Sequence, residues 1–289
     1  MIKKIFLCVP VLLLLSACTP FKSNIRKINS IDQAQHVFET ATPDDLFVFD
    51  IDDVIFEPQD LDVQKRFYKN PSLIKNNKSL DDYFKINNYP QKDCLFLLSM
   101  LNGKIQPIEQ KLINNILELQ KRNIKVITLS HFYSGKCDLI ERTEDWRYQQ
   151  LLSLGLDLSQ SFDQQEILLN ELQQTDFAQK YKAKRAIYPN PTLYYKGVIG
   201  TNQYPKGIVL KSFLQKMKLK PAHVYFFDDK QKNIASVIHE MKNMDIPCQA
   251  FLYAAATTNR SNDELDLDVA ALRIKLIKQR KNYVTQFQL

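Results

Sequence analysis

Leu46-Phe47-Val48-Phe49-Asp50-Ile51-Asp52-Asp53-Val54 decides the reading of this chain. Four consecutive apolar residues mark a strand buried on both faces, as in a parallel sheet covered by helices. The run ends in carboxylates at Asp50 and Asp52, two residues apart. Like charges at the exit of a buried strand repel and resist desolvation. A divalent cation and a phosphoryl group between them would relieve both penalties. The pattern therefore points to phosphoryl transfer through an aspartate nucleophile. A lone D-x-D is also compatible with an ordinary polar strand end, so the rest of the chain has to supply partners.

Three further elements follow in order. Ile124-Lys125-Val126-Ile127-Thr128-Leu129-Ser130 reads as a β-branched strand ending in a hydroxyl. A helix-period segment with Ile108, Leu112, Ile113, Ile116 and Leu119 on one face precedes it. Ser130 would donate to a phosphoryl oxygen, or as a strand-end serine simply satisfy a turn; Thr128, on the same face by alternation, competes, but Ser130 is nearer the carboxyl end. Lys206-Gly207 opens an amphipathic segment carrying Ile208, Leu210, Phe213, Leu214 and Met217. A lysine at a helix start opposes the helix dipole unless an anion sits nearby. Val224-Tyr225-Phe226-Phe227-Asp228-Asp229 is a second apolar strand ending in paired carboxylates, followed by Lys230 and Asn233 at the start of a helical segment. Such a pair completes an oxygen-ligand site of the kind Mg2+ takes. Neither a P-loop nor a G-x-G-x-x-G fingerprint is present.

Asp50-Ile51-Asp52-Asp53-Val54, Ser130, Lys206 and Asp228-Asp229, in that order, resemble the four motifs of the haloacid dehalogenase (HAD) superfamily. The D-x-D-x-V form is similar to its phosphatase branch. The resemblance implies an α/β Rossmann-like core, a parallel sheet with helices on both faces, and a mainly helical cap insertion. It implies a Mg2+-dependent phosphoric monoester hydrolase with an aspartyl-phosphate intermediate. Asp50 would be the nucleophile and Asp52 the general acid and base. Ser130 and Lys206 would hold phosphoryl oxygens. Asp50, Asp228 and the backbone carbonyl of Asp52 would ligate Mg2+, with Asp229 and Asn233 in support. The chain also looks like an uncharacterised HAD-like family of bacterial secreted proteins and lipoproteins, to which the Trp146-Arg147 segment and the Lys206-Gly207 start are similar. It resembles class C acid phosphatases more distantly, since Val54 stands where those carry threonine. Two alternatives remain open: a HAD-fold binding lipoprotein without turnover, and a phosphotransferase. The expected substrate is a phosphorylated small molecule or a phosphoprotein.

The amino terminus carries a separate signal. Lys3 and Lys4 precede an apolar stretch from Ile5 to Leu15, then Ser16-Ala17-Cys18. The stretch is shorter than the ~20 residues a spanning helix needs. A basic start, a short apolar core and small residues before the cut read as a signal peptide. Cys18 after Ser-Ala looks like a bacterial lipobox cysteine, acylated (palmitate included) to anchor the protein in the membrane. Thr19, not aspartate, favours the outer membrane of the cell envelope.

The expected organisation is a signal peptide over 1–17, a tether over 18–30 and the HAD-like domain over 31–289. A helix over Ile31–Thr40, capped by Ser30, begins that domain. Strands are also expected near Leu193–Ile199 and Gln249–Ala254. Insertions interrupt the core at about 57–102, the favoured and largely helical cap, and at about 133–194, which could equally be the cap or only a surface elaboration. The tail from Leu265 to Tyr283 reads as a basic amphipathic helix packed on the core. The net charge of +7 becomes +5 without Lys3 and Lys4, which suits anionic substrates or membranes and specifies neither. Without a basic cluster interleaved with aromatics, nucleic-acid binding is not expected. Cys94, Cys137 and Cys248 allow one disulfide and one thiol, or three thiols, and show no metal-ligand spacing. His131 either lines the substrate pocket or packs as a capping residue.

Overall fold

A computed structural model describes residues 24–61, 64, 103–137, 140–175, 178, 190–202, 204–258 and 279. The expected signal peptide, Cys18, nearly all of the first insertion and nearly all of the basic tail helix lie outside the described residues. Among the described residues no helix is long and apolar enough to cross a membrane.

The strands are β1 (Asn24–Ile28), β2 (Leu46–Phe49), β3 (Phe56–Pro58), β4 (Ile105–Pro107), β5 (Lys125–Ser130), β6 (Glu166–Leu168), β7 (Leu193–Tyr195), β8 (Val198–Gly200), β9 (Val224–Asp228) and β10 (Cys248–Tyr253). The helices are α1 (Gln35–Thr40), α2 (Gln110–Lys121), α3 (Thr143–Ser153), α4 (Lys206–Lys216), α5 (Gln231–Asn243) and α6 (Ala255–Thr258). Eight strands form one sheet in the order β1-β10-β9-β2-β5-β8-β7-β6. The first six are mutually parallel, and β7 and β6 extend the sheet antiparallel. The molecule is thus an α/β protein of Rossmann-like type, as the alternation of strand and helix predicts.

All four residues of β2 are buried, and alternation divides them between two cores. Phe47 and Phe49 face one side with Phe38, Phe227 and Phe251. The ring centroids of Phe49 and Phe227 are 4.9 Å apart, and those of Phe227 and Phe251 4.5 Å. Leu46 and Val48 face the other side, against Leu210 and Phe213 of α4 and Ile234 and Val237 of α5. The first core is closed by α1, by Leu112, Ile113, Ile116 and Leu119 of α2, and by Tyr148 and Leu151 of α3. Each buried aromatic or aliphatic side chain contributes roughly 1.5–3 kcal/mol. The central strands are therefore the least able to move.

Three expectations are corrected. Asn24–Ile28, assigned to the tether, is a strand paired parallel with β10, Ile25 opposite Ala250. It sits at the sheet edge, where four of its five residues keep solvent contact, so its sequence lacks the apolar run of a central strand. The single strand read near Leu193–Ile199 is a hairpin of β7 and β8. Lys196 and Gly197 both take positive φ (47° and 85°), as a two-residue turn of the favoured hairpin hand requires. A Cβ on Gly197 would lie 2.4 Å from that of Leu158. The second insertion, read as about 133–194, is not a separate cap in its described part. It supplies β6 and β7 to the sheet, and Ile167, Leu169, Leu172 and Tyr194 join the second core. Their apolar surface is buried by continuing the sheet.

Other expectations fit with small adjustments. Ser30 caps a turn of 3-10 helix, Ile31–Ala34, through a capping box with Gln33, before α1 begins. Cys137 is disulfide-bonded, while Cys248 is a buried free thiol.

Candidate active site

The chain runs outward from β2 to β5 and β8, then returns to place β9 on the other side of β2. Such a switch point leaves a crevice at the carboxyl ends of the strands, where ligands bind in open α/β sheets. Phe49 pairs with Phe227, and the Asp50 N–H donates to the Phe227 carbonyl at 2.9 Å. Asp50 and Asp228 therefore emerge side by side. Both are buried, as is Ser130 at the end of β5.

Lys206, the first residue of α4, holds the two carboxylates. Its ammonium lies 2.9 Å from Asp50 Oδ1 and 2.6 Å from Asp228 Oδ2, and it is itself only 3% exposed. Burial opposes its charge, but Asp228 and Asp50 outweigh that effect and raise its pKa. Lys206 stays an ammonium. For Asp228, burial and the neighbouring Asp50 charge together outweigh Lys206 and push the pKa up to about 6. Asn233 Nδ2 donates to both Asp228 oxygens, at 2.9 and 3.0 Å, and the Lys230 N–H donates to Oδ1 at 2.8 Å. Asn233, expected to support the loop after Asp229, thus braces Asp228 itself. Gly207 lets α4 approach α5: a Cβ there would lie 2.0 Å from the Ser236 carbonyl oxygen, and its N–H donates to Ser236 Oγ at 3.0 Å.

One oxygen each of Asp50, Asp228 and Asp229 lie within 4.8 Å of one another. Lys206 reaches Asp50 and Asp228, and Lys230 Nζ lies 3.4 Å from Asp229 Oδ1, so three carboxylates share two ammonium groups. The donor set is hard oxygen, which suits Mg2+. Asp229, expected in a supporting part, has an oxygen near enough to those of Asp50 and Asp228 to join such a donor set.

Asp52 points to a different cation. Arg147 Nη2 donates to Asp52 Oδ2 at 3.0 Å. The backbone turns sharply just after Asp52. Asp53 takes φ +64°, in the left-handed region that aspartate tolerates better than most residues. Its N–H donates to the Phe56 carbonyl at 3.0 Å, and the Ile55 N–H returns to the Ile51 carbonyl at 2.9 Å. The chain then enters β3, which pairs antiparallel with β4. The ends of the first insertion are thereby brought together beside the site.

The competition between Thr128 and Ser130 resolves by position. Thr128 Oγ1 donates to the Gly197 carbonyl at 3.4 Å, below the crevice, and Ser130 is two residues nearer the carboxyl end. His131 is exposed, and its Nδ1 lies 3.1 Å from Thr201 Oγ1. Surrounding protein, then the Lys206 charge, lower its pKa, with Asp50 opposing and Lys230 and Lys232 adding. These couplings put the ring near Lys206 and Asp50.

The crevice thus gathers Asp50, Asp52, Ser130, Lys206, Asp228, Asp229 and Asn233 at one sheet edge. Arg147 is the residue whose role here sequence reasoning missed. The segment was noted for its Trp-Arg pair, but no local signal ties Arg147 to a carboxylate 95 positions away.

Fold and crevice define an α/β protein with a carboxylate–lysine cluster at the switch point of a mainly parallel sheet. Residues 27–284 match a family described as "Protein of unknown function (DUF2608)", and the chain belongs to that family. It is similar to an uncharacterized protein of Rickettsia prowazekii (strain Madrid E), 22% identical over 227 residues, which cover 78% of this chain and 75% of the relative. No solved structure matches the chain.

Proposed function

We propose that this protein is a HAD-like, Mg2+-dependent phosphatase of phosphate monoesters. The observation that carries the reading is the buried Lys206 ammonium, shared by Asp50 and Asp228 with Asp229 within reach. On that reading, a phosphoryl group entering at the sheet edge meets Asp50, the cation of Lys206 and the hydroxyl of Ser130.

In this reading Asp50 attacks phosphorus and becomes an aspartyl phosphate, while Asp52 gives its proton to the leaving oxygen. Asp52 then takes a proton from the water that hydrolyses the intermediate, and inorganic phosphate is released. Lys206 and Ser130 stabilise the charge on the transferring group. The side chains of Asp50, Asp228 and Asp229 would hold Mg2+, with the Asp52 carbonyl a further donor as the resemblance implies. A bound divalent cation would neutralise the crowded carboxylates and polarise phosphoryl oxygens.

The amino-terminal features support a lipoprotein acylated at Cys18, so the same proposal places the enzyme in the bacterial envelope, facing phosphorylated small molecules or phosphoproteins there. Loss of membrane partitioning and of acyl labelling in Cys18→Ser would carry that part. Retention of both would remove it.

The test of the activity is phosphate release from an aryl phosphate by protein from Thr19 onward, with Mg2+ and with chelator, beside Asp50→Asn. Mg2+-dependent release abolished by the substitution supports the nucleophile and cation roles. Release only when an alcohol acceptor is added would favour a phosphotransferase. Silence on a panel of phosphomonoesters, together with no effect of Mg2+ on thermal stability, would favour a binding lipoprotein without turnover.

A further inference from the structure

We propose that Arg147 is the positioning residue for Asp52: by holding one carboxyl oxygen it orients the proton-transferring group. The inference rests on the phosphatase reading and adds to it a cation from outside the four recognised motifs.

The geometry is specific. Arg147 is 1% exposed and Asp52 14% exposed, so the pair lies at the inner wall of the crevice. Nη2 donates to Asp52 Oδ2 at 3.0 Å, and Nη1 donates to Gln150 Oε1 at 3.0 Å. The guanidinium carbon lies 5.0 Å from the Trp146 ring centroid and 5.9 Å from that of Phe132. The start of α3 is tied down as well. Thr143 Oγ1 donates to the Tyr133 and Gly135 carbonyls, and Glu144 Oε2 accepts the Gly135 N–H at 2.7 Å. Tyr195 OH donates to Asp145 Oδ1 at 2.9 Å. The helix that carries Arg147 is therefore anchored to the loop that follows Ser130.

A guanidinium this deep is costly unless paired and hydrogen-bonded. Arginine remains protonated throughout and offers donors in a rigid plane. It can fix one oxygen of a carboxyl without exchanging a proton with it. In the first half-reaction the Asp50–phosphorus bond forms, the bond from phosphorus to the leaving oxygen breaks, and the Asp52 proton goes to that oxygen. Asp52 is then a carboxylate facing Arg147. In the second half-reaction it takes a proton from water as the water oxygen bonds to phosphorus and Asp50 is released. Arg147 neither gains nor loses a proton.

A merely structural ion pair would not know which leaving group is bound, and that separates the roles. A p-nitrophenolate leaves readily without a proton, whereas an alkoxide such as that of glycerol phosphate needs one. kcat/KM reports steps up to aspartyl-phosphate formation, so later hydrolysis does not enter. For Arg147→Met, kcat/KM should fall about a hundredfold on glycerol phosphate and less than about threefold on p-nitrophenyl phosphate, the scale of general acid catalysis. Arg147→Lys should recover part of the alkyl-phosphate loss. Asp52→Asn should show the same selectivity, and Arg147→Met/Asp52→Asn should be no worse than Asp52→Asn alone. Should Arg147→Met fail to fold by circular dichroism, Gln150→Leu keeps the arginine and removes its brace. It should lose about tenfold on glycerol phosphate only, the scale of one weakened charged hydrogen bond. Equal losses on both substrates, or none on either, would overturn the positioning role. Wild-type protein that releases phosphate from neither substrate would instead sink the phosphatase reading beneath it.

Discussion

Asp50 and Asp52 stand two residues apart, yet different regions of the molecule hold them. Asp50 is gripped by Lys206 from α4, inside the sheet core and shared with Asp228. Asp52 is gripped by Arg147 from α3, a helix of the second insertion. Each grip has a neutral amide behind it: Asn233 on Asp228, Gln150 on Arg147. The first cation balances crowded carboxylates and belongs to the electrostatics of the whole site. The second touches one carboxyl. The difference teaches that nucleophile and acid can be tuned separately, because their cations come from two different helices, α4 and α3.

The most severe way to break the comparison is Lys206→Met. It strands two buried carboxylates, so the protein should lose about 3–5 kcal/mol of stability in urea titrations. Phosphate release should disappear for every leaving group, unlike the selective loss expected on the arginine side. Lowering the pH should recover part of the lost stability, since protonation removes the stranded charge.

Gly207→Ala probes the same arm through the backbone. The new methyl group collides with the Ser236 carbonyl oxygen, and separating α4 from α5 should cost about 1–3 kcal/mol, the usual range for overpacking. If Lys206 shifts with its helix, kcat should fall alongside stability. Unchanged melting would mean the two helices are looser than their contact indicates.

Asn233→Ala removes the amide that spans both Asp228 oxygens and should cost roughly 1.5–3 kcal/mol, the range for hydrogen bonds to charged groups. With Mg2+ the cost should shrink, because the cation takes over part of the charge balance. A cost that is the same with and without Mg2+ would argue against Asp228 as a ligand.

The smallest effect concerns His131. Its pKa is lowered to about 4, so below the ordinary imidazole value of about 6.5 the unfolded chain binds the proton that the folded chain refuses. Stability therefore falls as pH drops from about 6.5 towards 4, and flattens below. His131→Gln should remove this part of the slope. Its exposure keeps the effect modest, and identical slopes in the two proteins would show that the ring is more solvated than its neighbours imply.

Much of this arrangement was legible in one dimension. Strands such as Leu46–Phe49 and Val224–Phe227 declare themselves, because burial on both faces demands unbroken apolar runs. Their terminal aspartates mark the sheet edge where polar groups become tolerable again. Other features were hidden for physical reasons. Asn24–Ile28 pairs on one side only and needs no apolar run, so it reads as tether. Lys196-Gly197 lacks the usual Asn-Gly or Asp-Gly turn pair, so its hairpin reads as a single strand. The residues after Tyr133 alternate too little to show that β6 would join the sheet.

The sequence by itself determined the α/β alternation and the order in which Asp50, Ser130, Lys206 and Asp228 reach one edge, because hydrophobic period and strand ends are local properties. Tertiary structure alone decided which cation meets which carboxylate. Lys206 closes on Asp50 and Asp228 because β9 lands beside β2 and Gly207 admits α4 against α5. Arg147 closes on Asp52 because α3 packs over the loop that leaves Ser130. A buried charge takes its partner from whatever the packed elements bring within about 3 Å, and no local pattern encodes that distance.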